Sequence, residues 1–458
     1  MRRVLYVLSL FVFLSCVQAA FAADPKPAGS HLSLDEAVRI GLANHPLVER
    51  SRQSLLIAKA LTRQTEGARY PWLEASIAGS SGALRIITAD GKTVHDQGGH
   101  GFDPGGALPH HNQNMLTGGL LLNQLITDFG YTAHRILATQ AGQAAGEKDI
   151  LTNKALVILN VEKAYLDCLL RAALTQIASE TVKQRRVVRD QVQTLYKHQL
   201  KSKVDLDLVS VEVSNAELVL VRAGNDLKQA FAALNNAMGV EGPDRYELDR
   251  VSIQVAPGPP VETLVATGLN ERPELLGHRD RLTASRELLE AVRSLNFGSL
   301  SAVGSIGITK YGTVHDSGIP PDGVAPFWGF GATIKLPLFT GFRIQNQIKE
   351  ADHRRGETAE ELQNLANEIV LQVVRAYLAK TTNAEQIALE QERVDFAKDA
   401  LQLASERYRL GLSPIVEVVR ATAALFEAES RLAEARYIYK TSESVVAYAT
   451  GQEYKRFP

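Results

Sequence analysis

Four histidines that could bind a transition metal lie in one glycine-rich stretch of this 458-residue sequence: His95, His100, His110 and His111. Imidazole nitrogens are common zinc and copper ligands, but the spacings between these four histidines match no common zinc motif. We therefore interpret the stretch as a solvated loop, and the sequence predicts neither a metal nor another cofactor.

Acid–base and nucleophilic chemistry has no better candidates. The acid pairs Asp35-Glu36 and Glu360-Glu361 are typical of exposed helix faces, and Cys168 is predicted to be an inert helix residue. No arrangement of serine, histidine and aspartate predicts a catalytic triad, so we expect no enzyme activity. With 50 basic and 51 acidic residues, the chain also lacks the excess of positive charge that nucleic-acid binding usually needs.

The first 22 residues have the pattern of a secretory signal peptide. Two arginines are followed by an apolar run over residues 4–17 and by the small-x-small site Ala20-Phe21-Ala22. The alternatives are a membrane anchor, for which the apolar run is short, and lipidation at Cys16, which follows a poor lipobox.

The rest of the chain repeats one plan. Gly41 and Pro46 recur as Gly268 and Pro273, and later matches such as Gly239 with Gly451 keep the same order. We predict a first repeat over residues 23–239, a linker over 240–261, a second repeat over 262–451 and a tail over 452–458.

Each repeat contains two segments in which apolar residues alternate with small or polar ones. These predict strands at about 72–85 and 113–129 in the first repeat, and at about 299–311 and 326–339 in the second. The apolar faces, together with Trp72, Phe327 and Trp328, favour strands that cross a membrane.

Long helical hairpins follow the strands, at residues 131–239 and 342–450. Their first helices, 131–197 and 342–409, contain no proline and would each reach roughly 100 Å. A seven-residue repeat predicts a coiled-coil seam, formed by Ile387, Val394, Leu401 and Tyr408. The predicted fold is mainly α with a small β part.

Two strand pairs cannot close a barrel, so either several copies share one barrel or the strands do not lie in a membrane. The chain resembles the TolC-type outer-membrane efflux proteins along nearly all of its mature length. The resemblance rests on motifs in a duplicated order: Leu34-x-x-Ala37, Ala68-Arg69-Tyr70-Pro71, Asp128-Phe129-Gly130, Leu336-Pro337-Leu338-Phe339-Thr340-Gly341, and Tyr408-Arg409-Leu410-Gly411-Leu412-Ser413-Pro414-Ile415-Val416-Glu417.

The resemblance implies a homotrimer with a shared twelve-stranded barrel in the outer-membrane lipid and a helical tube in the periplasm. It also implies a passive exit duct of a tripartite efflux pump or a type I secretion system, joined through a periplasmic adaptor to an inner-membrane transporter. The alternative is a soluble periplasmic coiled-coil scaffold or adaptor, which would lack amphipathic strands.

The resemblance also assigns roles to residues near the helical tips. Gly411, Leu412 and Ser413 match the adaptor-contact turn, although a plain helix reversal would use the same residues. In the first repeat Gln199 stands where glycine is expected, which predicts weaker docking or a different docking geometry there.

Two further pairs follow from the same resemblance. Tyr408 and Asp205 fall on positions that close the channel, where Ser413 replaces the family's arginine, and packing on the seam is the alternative role for Tyr408. Glu417 and Arg420 would ring the entrance, with weaker cation preference than two acids would give. An ordinary i, i+3 helix pair is the alternative for these two residues.

Overall fold

The computed structural model describes residues 31–83, 112–241, 246–256, 258–313 and 323–457. The predicted signal peptide, Cys16 and the four-histidine loop lie outside these residues. The chain forms two compact units, each built from both halves of the sequence. The first unit contains Met1–Leu56, Ala144–Arg279 and Glu360–Pro458, and the second contains Ile57–Gln143 and Asp280–Ala359.

The elements follow the same order in both halves. The first half contains β1 (His31–Leu32), α1 (Leu34–Asn44), α2 (Pro46–Glu66), β2 (Trp72–Ala83), β3 (Asn112–Thr127), α3 (Tyr131–Lys197) and α4 (Lys203–Met238). The second half contains β4 (Glu247–Leu248), α5 (Val261–Glu271), α6 (Pro273–Ser294), β5 (Ser299–Thr313), β6 (Gly323–Lys335), α7 (Arg343–Arg409) and α8 (Ile415–Ala449). Short 3-10 turns lie at Gly67–Arg69, Leu295–Phe297 and Glu453–Arg456. The prediction of a mainly α fold with a small β part is confirmed.

None of the helices in the described ranges combines the length and the apolar character that a membrane crossing requires.

In the first unit, the duplication extends to the glycines that end the return helices. Gly239 and Gly451 have φ of 69° and 70°. A Cβ atom on Gly239 would lie 2.7 Å from the Cα of His45, and one on Gly451 would lie 2.8 Å from the Cα of Arg272. His45 separates α1 from α2, and Arg272 separates α5 from α6. Each return helix therefore ends against the break in the helix pair of its own half, where only glycine fits.

The largest core of the first unit surrounds the middle of α3. Val161, Tyr165 and Leu234 are fully buried there, beside Leu32 of β1. The Tyr165 hydroxyl donates to the carbonyl oxygens of Leu32, at 2.8 Å, and Asp249, at 3.0 Å. One tyrosine thus fixes the start of the described chain and the linker between the repeats to the same helix.

The predicted coiled-coil seam is present between α7 and α8. Val394 is buried against Leu432, Ala428 and Leu425, together with the partly buried Leu401. The small side chain of Ala397 is buried in the same cluster, which lets the two helices approach closely.

The second unit contains one antiparallel sheet with the strand order β2-β3-β5-β6. Consequently β2 and β6 are its edge strands within the described residues. Strand β2 is described as far as Ala83, so the predicted positions 84–85 are not covered, and β5 extends two residues beyond the predicted end, to Thr313.

Two other predicted strand ends are wrong. Strand β3 ends at Thr127 and not at 129, because Phe129 and Gly130 turn into positive φ and Asp128 accepts a hydrogen bond from the amide of Thr132. Strand β6 ends at Lys335 and not at 339, since Pro337 has no N–H to donate to a ladder.

The start of α7 also differs by one residue from the predicted position 342. The helix begins at Arg343, because Phe342 has a φ of 63°, outside the helical region.

Candidate functional site

One face of the sheet is apolar across all four strands. The register aligns Ala75, Leu120, Ile306 and Trp328 in one row, and Leu73, Leu122, Gly304 and Phe330 in the next. None of the described residues covers these side chains: Trp328 is 76% exposed and Phe330 is 87% exposed. Such a continuous exposed apolar surface marks a membrane or protein contact.

The opposite face is polar and rich in glycine. The Thr117 and Thr309 hydroxyls lie 3.2 Å apart there, and the ring of Phe327 lies over Gly307. Trp72 is also on this face, paired with Asn123. Of the three aromatic residues noted in the sequence, Trp72 and Phe327 therefore lie on the polar face and Trp328 on the apolar face, because successive residues of a strand point to opposite faces.

The turn between α7 and α8 is a tight helix end of the Schellman type. The Leu412 amide donates to the Arg407 carbonyl at 2.8 Å, and the Gly411 amide donates to the Tyr408 carbonyl at 3.0 Å. Gly411 supplies the positive φ of 76° that this turn requires. The turn leaves Leu412 67% exposed, while Ser413 is buried with no hydrogen-bond partner for its hydroxyl in the described residues.

The first repeat makes the same turn without glycine. Gln199 has a φ of 59°, and its amide donates to the Tyr196 carbonyl, while the Leu200 amide donates to the Leu195 carbonyl, both at 2.9 Å. Leu200 is 68% exposed, like its counterpart Leu412. Gln199 therefore adopts the same backbone turn as Gly411, although a residue with a Cβ atom is strained at this φ.

Tyr408 lies in the core that joins the two hairpin tips, and is 8% exposed. It packs there with Val192, Val209 and Ile415. The ammonium of Lys201 lies 4.4 Å from the centre of its ring. Packing on the seam, the alternative role considered for Tyr408, is thus present.

The Tyr408 hydroxyl is buried without a hydrogen-bond partner among the described residues. Burial, and then the negative charge of Asp205, raise the pKa of Tyr408 above its ordinary value. Asp205 lies in the first turn of α4, where its amide donates to the Ser202 side chain. The two predicted closure residues are therefore neighbours in one chain, and the hydroxyl is left with unused hydrogen-bonding capacity.

Glu417 and Arg420 lie on α8, just after the same tip. The Glu417 carboxylate lies 3.8 Å from Nε of Arg407, on the preceding helix. Arg420 is exposed and forms no ion pair with any described residue. In the described residues Glu417 is thus closest to Arg407 and forms no ion pair with Arg420.

The family model described as "Outer membrane efflux protein" matches residues 38–240 and 264–452. This chain belongs to the outer membrane efflux protein family. The two matches fall on the two halves of the duplicated sequence, so each half carries the family pattern independently.

Individual relatives agree with the family. The outer membrane protein TolC of Salmonella enteritidis is 26% identical over 353 residues, which cover 74% of this chain and 70% of TolC. The alkaline protease secretion protein AprF of Pseudomonas aeruginosa is 24% identical over 185 residues, 40% of this chain and 37% of AprF. The crystal structure of CusC has a TM-score of 0.75 at 20% identity, covering 94% of this chain and 96% of CusC, and shows the same fold.

A second apolar stripe runs along α7 and ends one residue beyond it, and this stripe was not predicted from the sequence. Its residues recur every seven positions and are between 59% and 70% exposed: Leu389, Phe396, Leu403 and Leu410. Helix α4 carries a similar exposed stripe, formed by Val204, Val211 and Leu218. The seven-residue spacing of both stripes is visible in the sequence and could have revealed them.

Within the described part of the chain, no group of three or more histidine, cysteine, aspartate or glutamate side chains could hold a metal ion. Cys168 is buried, and burial raises the pKa of its thiol to about 12. A buried protonated thiol is inert, as predicted for this residue.

Proposed function

We propose that this chain is the passive outer-membrane exit duct of a tripartite efflux pump or a type I secretion system. The observation that carries the proposal is the apolar face that runs across all four strands of the sheet. Family membership supports the same role. The relative TolC is named as an outer membrane protein, and the relative AprF is named for the secretion of alkaline protease. Efflux pumps and type I secretion systems both need an outer-membrane duct.

The sheet also supports a homotrimer. Strands β2 and β6 end the sheet with unpaired backbone groups, and each unpaired group costs several kcal/mol in lipid. Neighbouring copies can satisfy both edges by pairing β2 of one chain with β6 of the next. Three copies, the number that the family resemblance implies, would close twelve strands around a polar interior.

The exposed stripes on the helices support the same assembly. Leu410 directly precedes the α7–α8 turn, and Val204 directly follows the start of α4, so both stripes begin beside a tip. Moving seven residues away from the tip reaches Leu403 on one stripe and Val211 on the other. The stripe of one copy can therefore pair, antiparallel and in register, with the α4 stripe of the next.

The tips are the proposed contact with the periplasmic adaptor. Leu412 at one tip and Leu200 at the other are exposed apolar side chains on tight turns, between helix ends that hold them in place. Gly411, Leu412 and Ser413 form the contact in the second repeat, and the equivalent turn at Gln199 offers the same backbone geometry. The adaptor would couple the duct to an inner-membrane transporter.

The channel-closing and entrance roles belong to the same tips. Tyr408 and Asp205 are proposed to close the resting channel. Because the Tyr408 hydroxyl is buried in the core of the tips, it can meet a neighbouring copy only when that core rearranges on closure. Glu417 and Arg420 are proposed to line the entrance as alternating charges.

The test compares two variants, each of which places one positive charge on a different face of strand β5. Ile306→Lys puts the charge on the apolar face, where lysine in the middle of a bilayer costs about 2–4 kcal/mol. Ser305→Lys puts it on the polar face and is the matched control. We expect wild type and Ser305→Lys to appear in the outer membrane as heat-sensitive trimers on gels of unboiled samples, and Ile306→Lys to be lost.

A soluble wild-type monomer in the periplasm would overturn the duct and favour a coiled-coil scaffold. Equal assembly of the two lysine variants would overturn the assignment of the lipid-facing surface.

A further inference from the structure

Two carboxyl groups meet in the interior of the first unit, away from its helical tips. Glu162 lies in the middle of α3 and is 1% exposed, while Glu453 begins the 3-10 turn Glu453–Arg456 near the C-terminus and is 0% exposed. Acidic side chains are almost never fully buried unless they are paired. The hydrogen-bond donors and cations around the two carboxyl groups therefore determine whether both groups can be ionised.

Among the described residues one cation, Arg456, lies beside the pair, and it cannot satisfy both acids. Nη1 of Arg456 lies 3.5 Å from Oε1 of Glu162 and 3.7 Å from Oε1 of Glu453, and the Arg456 side chain is 55% exposed. Oε2 of Glu162 and both carboxyl oxygens of Glu453 have no hydrogen-bond donor among the described residues. Two ionised carboxylates in this position would carry two negative charges, of which the single half-exposed Arg456 can offset only one.

The other groups that the structure describes around the pair offer no second cation. The last turn of α8 (445–449) has no charged side chain. On α3, the Tyr165 hydroxyl already donates its hydrogen bond to two backbone carbonyl oxygens, so it is not a donor for the two acids. Lys455 points elsewhere, with its Nζ 2.6 Å from a carboxyl oxygen of the exposed Glu271.

We propose that Glu162 and Glu453 share one proton, and that this proton holds the C-terminal turn against α3 as a latch. In the closed latch, one carboxyl group donates the shared proton to the other, and Arg456 balances the remaining negative charge. Loss of the proton to solvent leaves two buried carboxylates, which favours release of the turn.

The electrostatics give the direction of the effect. Burial, and then the charge of Glu162, raise the pKa of Glu453 from its ordinary 4.5 to about 8. Because the closed latch binds the proton more tightly than the released turn, the latch is strongest below pH 4.5. It weakens progressively as the pH rises towards 8, and above that pH the closed and released forms bind equally few protons.

The latch can be tested by hydrogen exchange of the full-length protein in detergent, read by mass spectrometry on a peptide covering residues 450–457. Exchange rates are corrected for the intrinsic effect of pH on amide exchange. In wild type we expect the opening equilibrium to rise by up to about tenfold per pH unit between pH 5 and pH 8.

Two variants separate the shared proton from general loosening of the turn. Glu453→Gln keeps the size and removes the titration, so its corrected exchange should not change with pH. Glu271→Gln removes an exposed acid that holds the same turn through Lys455, and should keep the wild-type pH dependence. Far-UV circular dichroism verifies that both variants are folded.

A wild-type peptide with constant corrected protection from pH 5 to pH 8 would overturn the latch. So would a Glu453→Gln variant that keeps the pH dependence. Neither result bears on the duct, whose test is membrane assembly.

Discussion

Gln199 and Gly411 occupy the same left-handed position in the turns that end the two long helices, with φ of 59° and 76°. The hydrogen bonds around them match one for one. A residue with a Cβ atom costs roughly 1–2 kcal/mol in this conformation, whereas glycine adopts it freely. The first repeat therefore keeps its turn at an energetic cost that the second repeat avoids.

This difference predicts opposite effects of two substitutions. Gly411→Ala should destabilise the protein by about 1 kcal/mol, because a Cβ atom there meets nothing within 4 Å and only backbone strain acts. Gln199→Gly should stabilise it by less than about 1 kcal/mol, since glycine also gains freedom in the unfolded chain. Thermal unfolding followed by circular dichroism measures both. Destabilisation by Gln199→Gly would mean that the glutamine side chain makes a contact worth more than the strain.

The exposed stripes predict a specific cross-link between copies. Leu403→Cys combined with Val211→Cys should form disulfide-linked dimers and trimers on mild oxidation, because the two stripes pair at this depth. The native Cys168 is buried and does not interfere.

Leu403→Cys with Val204→Cys is the matched control, displaced by seven residues or about 10 Å along the helix. It should form far fewer cross-links. Trimers that survive unboiled gels but cross-link equally well in both combinations would contradict the pairing of the stripes and leave the trimer intact.

Tyr408→Phe separates packing from channel closure. The ring packs in the core of the tips, and the buried hydroxyl has no hydrogen-bond partner in the described residues, so its removal should not lower the melting temperature. If the hydroxyl meets a neighbouring copy in the closed state, the conductance in planar bilayers should rise. Since the pKa of Tyr408 is raised above 10, the hydroxyl stays protonated and this increase should be the same at pH 6 and pH 9. An unchanged conductance would assign Tyr408 to packing alone.

The two charges after the tip predict the direction of ion selectivity. Arg420→Glu replaces an exposed positive charge that has no ion-pair partner among the described residues, and should increase cation preference strongly. Glu417→Gln should decrease it by less, because Arg407 already offsets part of the Glu417 charge at 3.8 Å. Reversal potentials in a KCl gradient measure both shifts. Identical reversal potentials in all three proteins would place these residues away from the conducting path.

Local pattern was enough to predict most of the architecture. The seven-residue repeat through Val394 and Tyr408 predicted a seam that is buried, and period-2 alternation predicted four strands. The strand ends were less predictable. The turn after β3 depends on a positive φ at Phe129, and phenylalanine has no preference for that conformation from which the turn could be predicted.

The sequence by itself determined the order of helices and strands in the two halves. Residue periodicity and glycine positions specify secondary structure through interactions between residues only a few positions apart. Only the tertiary structure decided which contacts those residues make. It placed Trp72 and Phe327 on the polar face, kept the Gln199 turn, and paired Glu417 with Arg407. It also brought Glu162 and Glu453 together from positions nearly 300 residues apart. Distant carboxyl groups leave no local pattern, because their meeting depends on how the whole chain packs.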